Sequence, residues 1–317
     1  MKEVYMPINK TRKRKWTANN KQNYFMAMCG VLFLLVFSYA PMFGIMLAFK
    51  NGDRAINVFQ ALIQGKWVHF KNFTDLFSDR KFVDILLNTI GLNMLMLLIN
   101  FPAPIIFALL VNEIRHKKFK KTIQIMTMFP HFISWIIFGG IIIALTDMTT
   151  GVVNPILEAL RISNFQNPIN LGSAEYFWAE MIIASLVKGV GWGSIIYLAA
   201  IAGINPELYE AAEIDGAGRF HKAIKITLPM IAPTITVFLL LQISKLLGNS
   251  YEQFYSLQNP INLDRSEVLS TYIYFKGITQ RRYSYASALG LFESAISVVL
   301  LIVSNLISKK TTGRGIF

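Results

Sequence analysis

One lysine stands where lysine is costly. Lys188 lies about eleven residues into an apolar run that begins at Phe177, and Trp192 follows one helical turn later on the same face. A charge inside hydrocarbon is tolerated against a cavity or a partner. Lys188 and Trp192 can therefore line a solute route, the ring offering an aromatic face and the ammonium donating hydrogen bonds. Lys188 can equally pair with Glu293 or with a carboxylate of another chain. Glu293, near the start of a later apolar run, can accept hydrogen bonds from a solute or satisfy a neighbouring helix. Asn93 and Asn100 are seven residues apart and face one way; such amides bond between helices or contact a solute.

No side chains gather for covalent or metal chemistry. His116 and His221 fall in basic segments, while His69 and His131 are isolated, so no metal site is expected. The single cysteine, Cys29, forbids an intrachain disulfide. No G-x-x-x-x-G-K-[ST] phosphate cradle occurs, so the chain should bind no ATP and carry no cofactor. An enzyme is not expected.

The elements that position these residues are set by composition. The chain has 317 residues, 54% hydrophobic and only 15% charged, against roughly 25% charged in soluble domains. With 24 Phe, 12 Tyr and 5 Trp it is the opposite of a disordered composition. The net charge of +13 is spread between long apolar runs instead of one basic face, which favours the lipid bilayer over nucleic acid.

Crossing about 30 Å of hydrocarbon takes about 20 apolar residues of helix. Six runs qualify: 24–49, 85–112, 123–145, 177–204, 228–247 and 287–307. The expected fold is an all-α integral membrane protein, with a basic arm at 1–23, a six-helix domain at 24–308 and a tail at 309–317. The first run is too long for a signal core and should stay as an anchor. Lys and Arg concentrate in Lys2 to Lys21, Arg115 to Lys121, Arg219 to Lys225 and Lys309 to Arg314, which puts both termini in the cytoplasm. The opposite connections carry turn residues such as Gly151, Asn154, Asn167 and Asn259-Pro260. Pro102, Pro104, Pro130, Pro229 and Pro233 should kink their helices. Gly189, Gly191 and Gly193 allow either close helix approach or local unwinding. The sequon at Asn72 is read as incidental.

Between the fourth and fifth runs, residues 205–227 are too polar to be embedded. Two short helices are expected there. Asn205 can cap the first, Pro206 suits its first position, and Gly216 ends it. Leu208, Ala211 and Ala212 share one face, and Phe220, Ala223 and Ile224 another, with acids ringing the first helix and bases the second. Such a pattern fits a partner's groove or a lipid surface.

Glu210-Ala211-Ala212, Gly216, Ile226, Leu228 and Pro229 match every fixed position of E-A-A-x3-G-x9-I-x-L-P over 20 residues. The segment resembles the EAA signature of permease subunits of type I ATP-binding cassette (ABC) importers. By that resemblance Glu210, Ala211, Ala212, Asp215, Gly216, Ala217, Arg219, Phe220, Ile226, Leu228 and Pro229 form the coupling helices that seat in the ATPase. Phe70 to Phe82 with Asn88-Thr89, Tyr251 to Tyr255 with Ser270 to Tyr274, and Tyr285-Ala286-Ser287-Ala288 resemble stretches of the sugar permease branch. Ser284 replaces a common glycine, and Asn259-Pro260 stands where Gly-Gly-Pro is frequent, which brings the chain nearer the LplB-like group.

The resemblance implies a second homologous permease, two cytoplasmic ATPases that use ATP and Mg, and an extracellular solute-binding protein. The implied cargo is an oligosaccharide or complex glycan, with Trp192 stacking on a sugar face and Lys188 bonding hydroxyls or a uronate. The signature reports the ATPase interface and not the cargo, so another solute such as a phosphodiester remains an alternative. A channel or carrier independent of ATPase would leave residues 205–227 unexplained.

Overall fold

The computed structural model describes residues 18–53, 55–162, 168–248, 250–313 and 315. Most of the basic amino-terminal arm, the turn residue Asn167 and Arg314 of the tail lie outside the described residues. Most of the described chain is helix. Its only strands among the described residues, Lys50–Asn51 and Lys66–Trp67, pair antiparallel with Lys50 opposite Trp67.

Contacts divide the chain into residues 1–46 and 47–317. The described part of the first unit is helical, from Ala18–Leu34 through a π-helical turn at Leu35–Tyr39. Among the described residues five helices are long and apolar enough to cross a membrane: Lys21–Phe49, Arg80–Asn112, Phe177–Ala202, Arg219–Ser244 and Tyr283–Lys310. A sixth crossing exists only if Lys117–Phe132 and Trp135–Thr146, bent by 102°, count as one span.

The kink expected at Pro130 is present, and it corrects the single span 123–145 to two helices that meet at a bend. Pro130 lacks an N–H, the chain tightens into a 3₁₀ turn at Phe129–Phe132, and a new helix starts with Ser134 Oγ accepting from the Ile137 N–H at 3.4 Å. The other prolines do less. Pro102 occupies a first helical turn inside a 33-residue span, and Pro229 and Pro233 lie in a continuous 26-residue helix, preceded by a π-helical turn at Ala223–Thr227. One consequence is a second correction: the expected second short helix, Arg219–Lys222, is the leading end of the fifth span.

Lys188 closes the break in the third span. Its buried ammonium donates to the carbonyls of Pro130 at 3.0 Å, His131 at 3.1 Å and Ile133. At such a bend the regular i+4 donors are lost, and backbone carbonyls in apolar surroundings need replacements. The fourth span comes close enough to supply them because of Gly191: a Cβ there would run into the carbonyl of Thr127. The span is unbroken helix from Phe177 to Ala202, so this glycine serves close approach and not unwinding.

At the end of the bundle opposite residues 205–227, Asp79 ties three sequence stretches together. Its carboxylate accepts from Tyr272 Oη at 3.0 Å and Tyr285 Oη at 3.1 Å, and caps the second span through the Lys81 N–H at 3.0 Å. Leu76, Phe82, Leu269, Tyr272, Tyr285 and Leu289 pack as one cluster around it. Burial pushes the Asp79 carboxyl up, but the hydrogen bonds from Tyr272, Lys81 and Tyr285 and the charge of Lys276 outweigh it and hold the group below its ordinary value. Asn72, the sequon residue, is buried and donates to the carbonyls of Ala48 and Lys50, both at 2.9 Å.

Two outcomes follow. Lys188→Met should lower the melting temperature of the detergent-purified protein, since each unmet buried backbone acceptor costs about 1–3 kcal/mol; an unchanged melting curve would contradict the clamp. A carboxylate ionised more readily in the folded state stabilises above its unfolded pKa, and that contribution disappears as pH falls through the folded value. Asp79→Asn should thus be less stable than the parent at pH 7, with the gap closing below about pH 4; a gap that persists in acid would refute the assignment.

Candidate functional site

Residues 205–227 form a rigid elbow. Asn205 Oδ1 accepts from the Glu207 N–H at 3.1 Å, opening the helix Glu207–Ile214 with Glu207 and Glu210 in its first turn. The helix closes where the Gly216 N–H donates to Glu213 O at 3.1 Å and the Ala217 N–H to Ala212 O at 2.8 Å. Gly216 sits at φ +77°, a left-handed conformation that disfavours any side chain although the space around it is open. Tyr209 Oη and Thr227 Oγ1, 2.9 Å apart, brace the two arms. The base packs on a cluster of Ile105, Ala108, Tyr197, Ile201, Ile204 and Ile231, joined by Tyr209 and Leu228. Exposed ion pairs, Lys222 with Glu213 at 3.5 Å and Arg219 with Glu113 at 3.9 Å, add little.

The signature residues divide by role. Ile226 and Leu228 are half-buried toward the bundle, as are Ala212 and Ala217. Glu210, Ala211, Asp215, Arg219 and Phe220 face outward, as does Pro229. At the tip, on either side of Gly216, Ile214 is 87% and Phe220 79% exposed, on a segment otherwise polar enough for water. Two bare apolar side chains beside a fixed turn make a knob for a pocket. Ile214 is absent from the expected set; it lies on the first arm, two residues before Gly216.

A second feature lies higher in the second unit, a cavity of about 340 Å³ between the second, fourth and fifth spans. Asn93, Asn100, Ser185, Gln242, Gln253 and Lys245 supply its polar lining, and Trp192, His131, Met96 and Phe101 much of the rest. Trp192 is 45% exposed. Its ring stacks on His131 at 4.5 Å with an interplanar angle of 3°, while Phe132 meets it edge-on at 5.9 Å. The broken third span thus delivers a flat aromatic wall.

Of the five expected pathway residues, the structure brings Asn93, Asn100 and Trp192 to this cavity and leaves out Lys188 and Glu293. The Lys188 ammonium lies behind the wall on the backbone carbonyls, with the Trp135 and Phe138 rings 5.3 and 5.5 Å away. Among the described residues it makes no ion pair with Glu293. Glu293 lies against Gly248, where an added Cβ would sit 2.9 Å from its Oε1. Both amides also link helices: Asn93 donates to Leu246 O at 2.7 Å, and Asn100 donates to Ser185 Oγ and, at 3.4 Å, to Ile182 O. Asn100 Oδ1, however, is buried with no partner. Gln242, Lys245, Gln253, Ser185 and His131 are absent from the expected pathway set, because they come from separate stretches of the chain that converge only on folding.

The family profile described as "Binding-protein-dependent transport system inner membrane component" matches residues 100–313. Protein LplB of Bacillus subtilis (strain 168) is 39% identical over 305 residues, covering 95% of this chain and 94% of LplB. From the same strain, the polygalacturonan/rhamnogalacturonan transport system permease protein YteP is 37% identical, covering 94% of this chain and 90% of YteP. A chain of a bacterial alginate ABC transporter, crystallised in complex with an alginate pentasaccharide-bound periplasmic protein, superposes with a TM-score of 0.82 at 34% identity. It covers 94% of this chain, which in turn covers 97% of it. The chain therefore belongs to the family of binding-protein-dependent transport system inner membrane components and has the multi-pass fold of an ABC transporter permease.

Proposed function

We propose that this chain is one permease half of an ATP-driven importer that carries an oligosaccharide or complex glycan inward. The observation that carries the reading is the pairing, within one unit, of an exposed apolar knob on a fixed elbow with a polar, aromatic-walled cavity. The knob suits a cytoplasmic ATPase, and the cavity suits a solute rich in hydroxyls. Amides donate and accept at once, as sugars do, and an exposed indole offers the apolar face of a pyranose a surface to stack on.

On this reading two ATPase subunits hydrolyse ATP with Mg, and this chain binds neither. A second, similar permease supplies the other wall of the pathway. An extracellular binding protein delivers the glycan at the end of the bundle that holds Asp79, and both termini are cytoplasmic. The relatives support the class of cargo by their names, two of which refer to polygalacturonan/rhamnogalacturonan and to alginate. The domain limits at 24–308, with residues 205–227 as coupling helices, belong to the same proposal. Transport follows from differential affinity: closure of the ATPases must be tighter in one state of the cavity than in the other.

The test is reconstitution of the four-subunit assembly in liposomes with its binding protein and measurement of ATP hydrolysis across neutral and acidic oligosaccharides. Stimulation by at least one saccharide is expected; stimulation only by a non-sugar solute would overturn the cargo. Phe220→Asp and Gly216→Val should each reduce stimulated hydrolysis by about tenfold or more, as losing a central apolar anchor does elsewhere, while membrane insertion persists. Normal stimulation in both would remove the coupling role. Trp192→Ala should raise the saccharide concentration for half-maximal transport several-fold, a size set by the loss of aromatic stacking; no change would place the sugar elsewhere.

A further inference from the structure

We propose that the cavity is built for a saccharide bearing carboxylates, with Lys245 supplying the counter-charge; this rests on the reading of the chain as a glycan permease. The lining contains no Asp or Glu, and its one permanently charged side chain is Lys245. Three other lysines are engaged: Lys188 on three carbonyls, Lys81 on Glu267 at 2.7 Å, and Lys222 on Glu213. Lys245 makes no hydrogen bond or ion pair among the described residues, and it is exposed.

Its placement matters as much as its freedom. The helix Leu228–Ser244 ends at Lys245, so the ammonium stands at the end of the fifth span remote from the elbow. Gln242, one turn earlier on the same face, carries the lining deeper, toward Trp192 in the middle of the fourth span. A single cation at the entrance of a cleft with apolar walls focuses its field on whatever enters. An ammonium there attracts an anionic solute, and a carboxylate presented by a sugar ring forms a charge-assisted hydrogen bond with it.

The remaining lining recognises the neutral part of such a ring. Gln253 Nε2 faces only the sulfurs of Met96 and Met181, at 4.0 and 3.8 Å, which are weak acceptors that a hydroxyl oxygen can replace. Trp192 supplies the stacking surface. Saccharide recognition and charge recognition are therefore carried by different residues, so they can be separated by experiment.

The assay uses the complete reconstituted transporter with its binding protein. Probes are the trisaccharides of galacturonate and of mannuronate, the methyl ester of each, and neutral galacto- and arabino-oligosaccharides. ATP hydrolysis is expected to respond at lower concentrations of a uronate than of its ester. Lys245→Gln should reduce that acid-to-ester preference about tenfold, the size of one charge-assisted hydrogen bond, and Lys245→Arg should preserve it. Raising the salt should weaken the preference in the parent more than in Lys245→Gln. Equal losses for acid and ester in Lys245→Gln, or an unchanged preference, would overturn the role of Lys245. Response to neutral saccharides but not to uronates would overturn the inference and leave the glycan reading standing. Response to no saccharide at all would bring down both.

Discussion

The structure depends on one constraint: backbone polar groups inside hydrocarbon must find partners within the protein. Where helices are continuous they satisfy themselves. Where Pro130 breaks one, the carbonyls of Pro130, His131 and Ile133 turn to the ammonium of Lys188. The expense of a buried cation and the expense of a broken helix cancel in a single contact. Gly191 permits it by letting the fourth span touch the backbone of Thr127. Because the break is held, His131 lies flat against Trp192, and the cavity acquires its aromatic wall.

The two ends of the chain's second unit answer to different solvents. At the elbow the first arm is polar, while Ile214 and Phe220 are left bare on either side of Gly216. At the other end, the aromatic cluster around Asp79 needs a carboxylate at its centre, and hydrogen bonds from two tyrosines and a backbone amide make ionisation easy there despite burial. Between them the bundle is largely apolar, the exceptions including Lys188, Glu293 and the side chains that reach the cavity.

Much of this was legible in the sequence. The apolar runs locate four unbroken spans in the second unit, three of them to within about five residues, while the fifth begins nine residues before its apolar run; Asn205, Pro206 and Gly216 fix the first arm of the elbow, since capping and left-handed backbone are local matters. The depth of Lys188 is also readable, but not its direction. A lone charge in an apolar run says only that some partner exists, and backbone carbonyls at a bend leave no mark in the sequence. The bend itself is hidden because Pro130 reads no differently from Pro233, which its helix absorbs. Gln242 and Lys245 share a helix face, but they meet Gln253, Ser185 and His131 only after folding, so no period connects the set.

The fifth span joins the elbow to the cavity without interruption. It runs from Arg219 to Ser244, about 39 Å at 1.5 Å per residue, with Phe220 at one tip and Gln242 near the other. A rod of that length tilted by about 10° carries its far end through about 7 Å, more than one helical turn. On the proposed function, the side chains that meet the solute and the one that meets the ATPase therefore lie along one continuous helix.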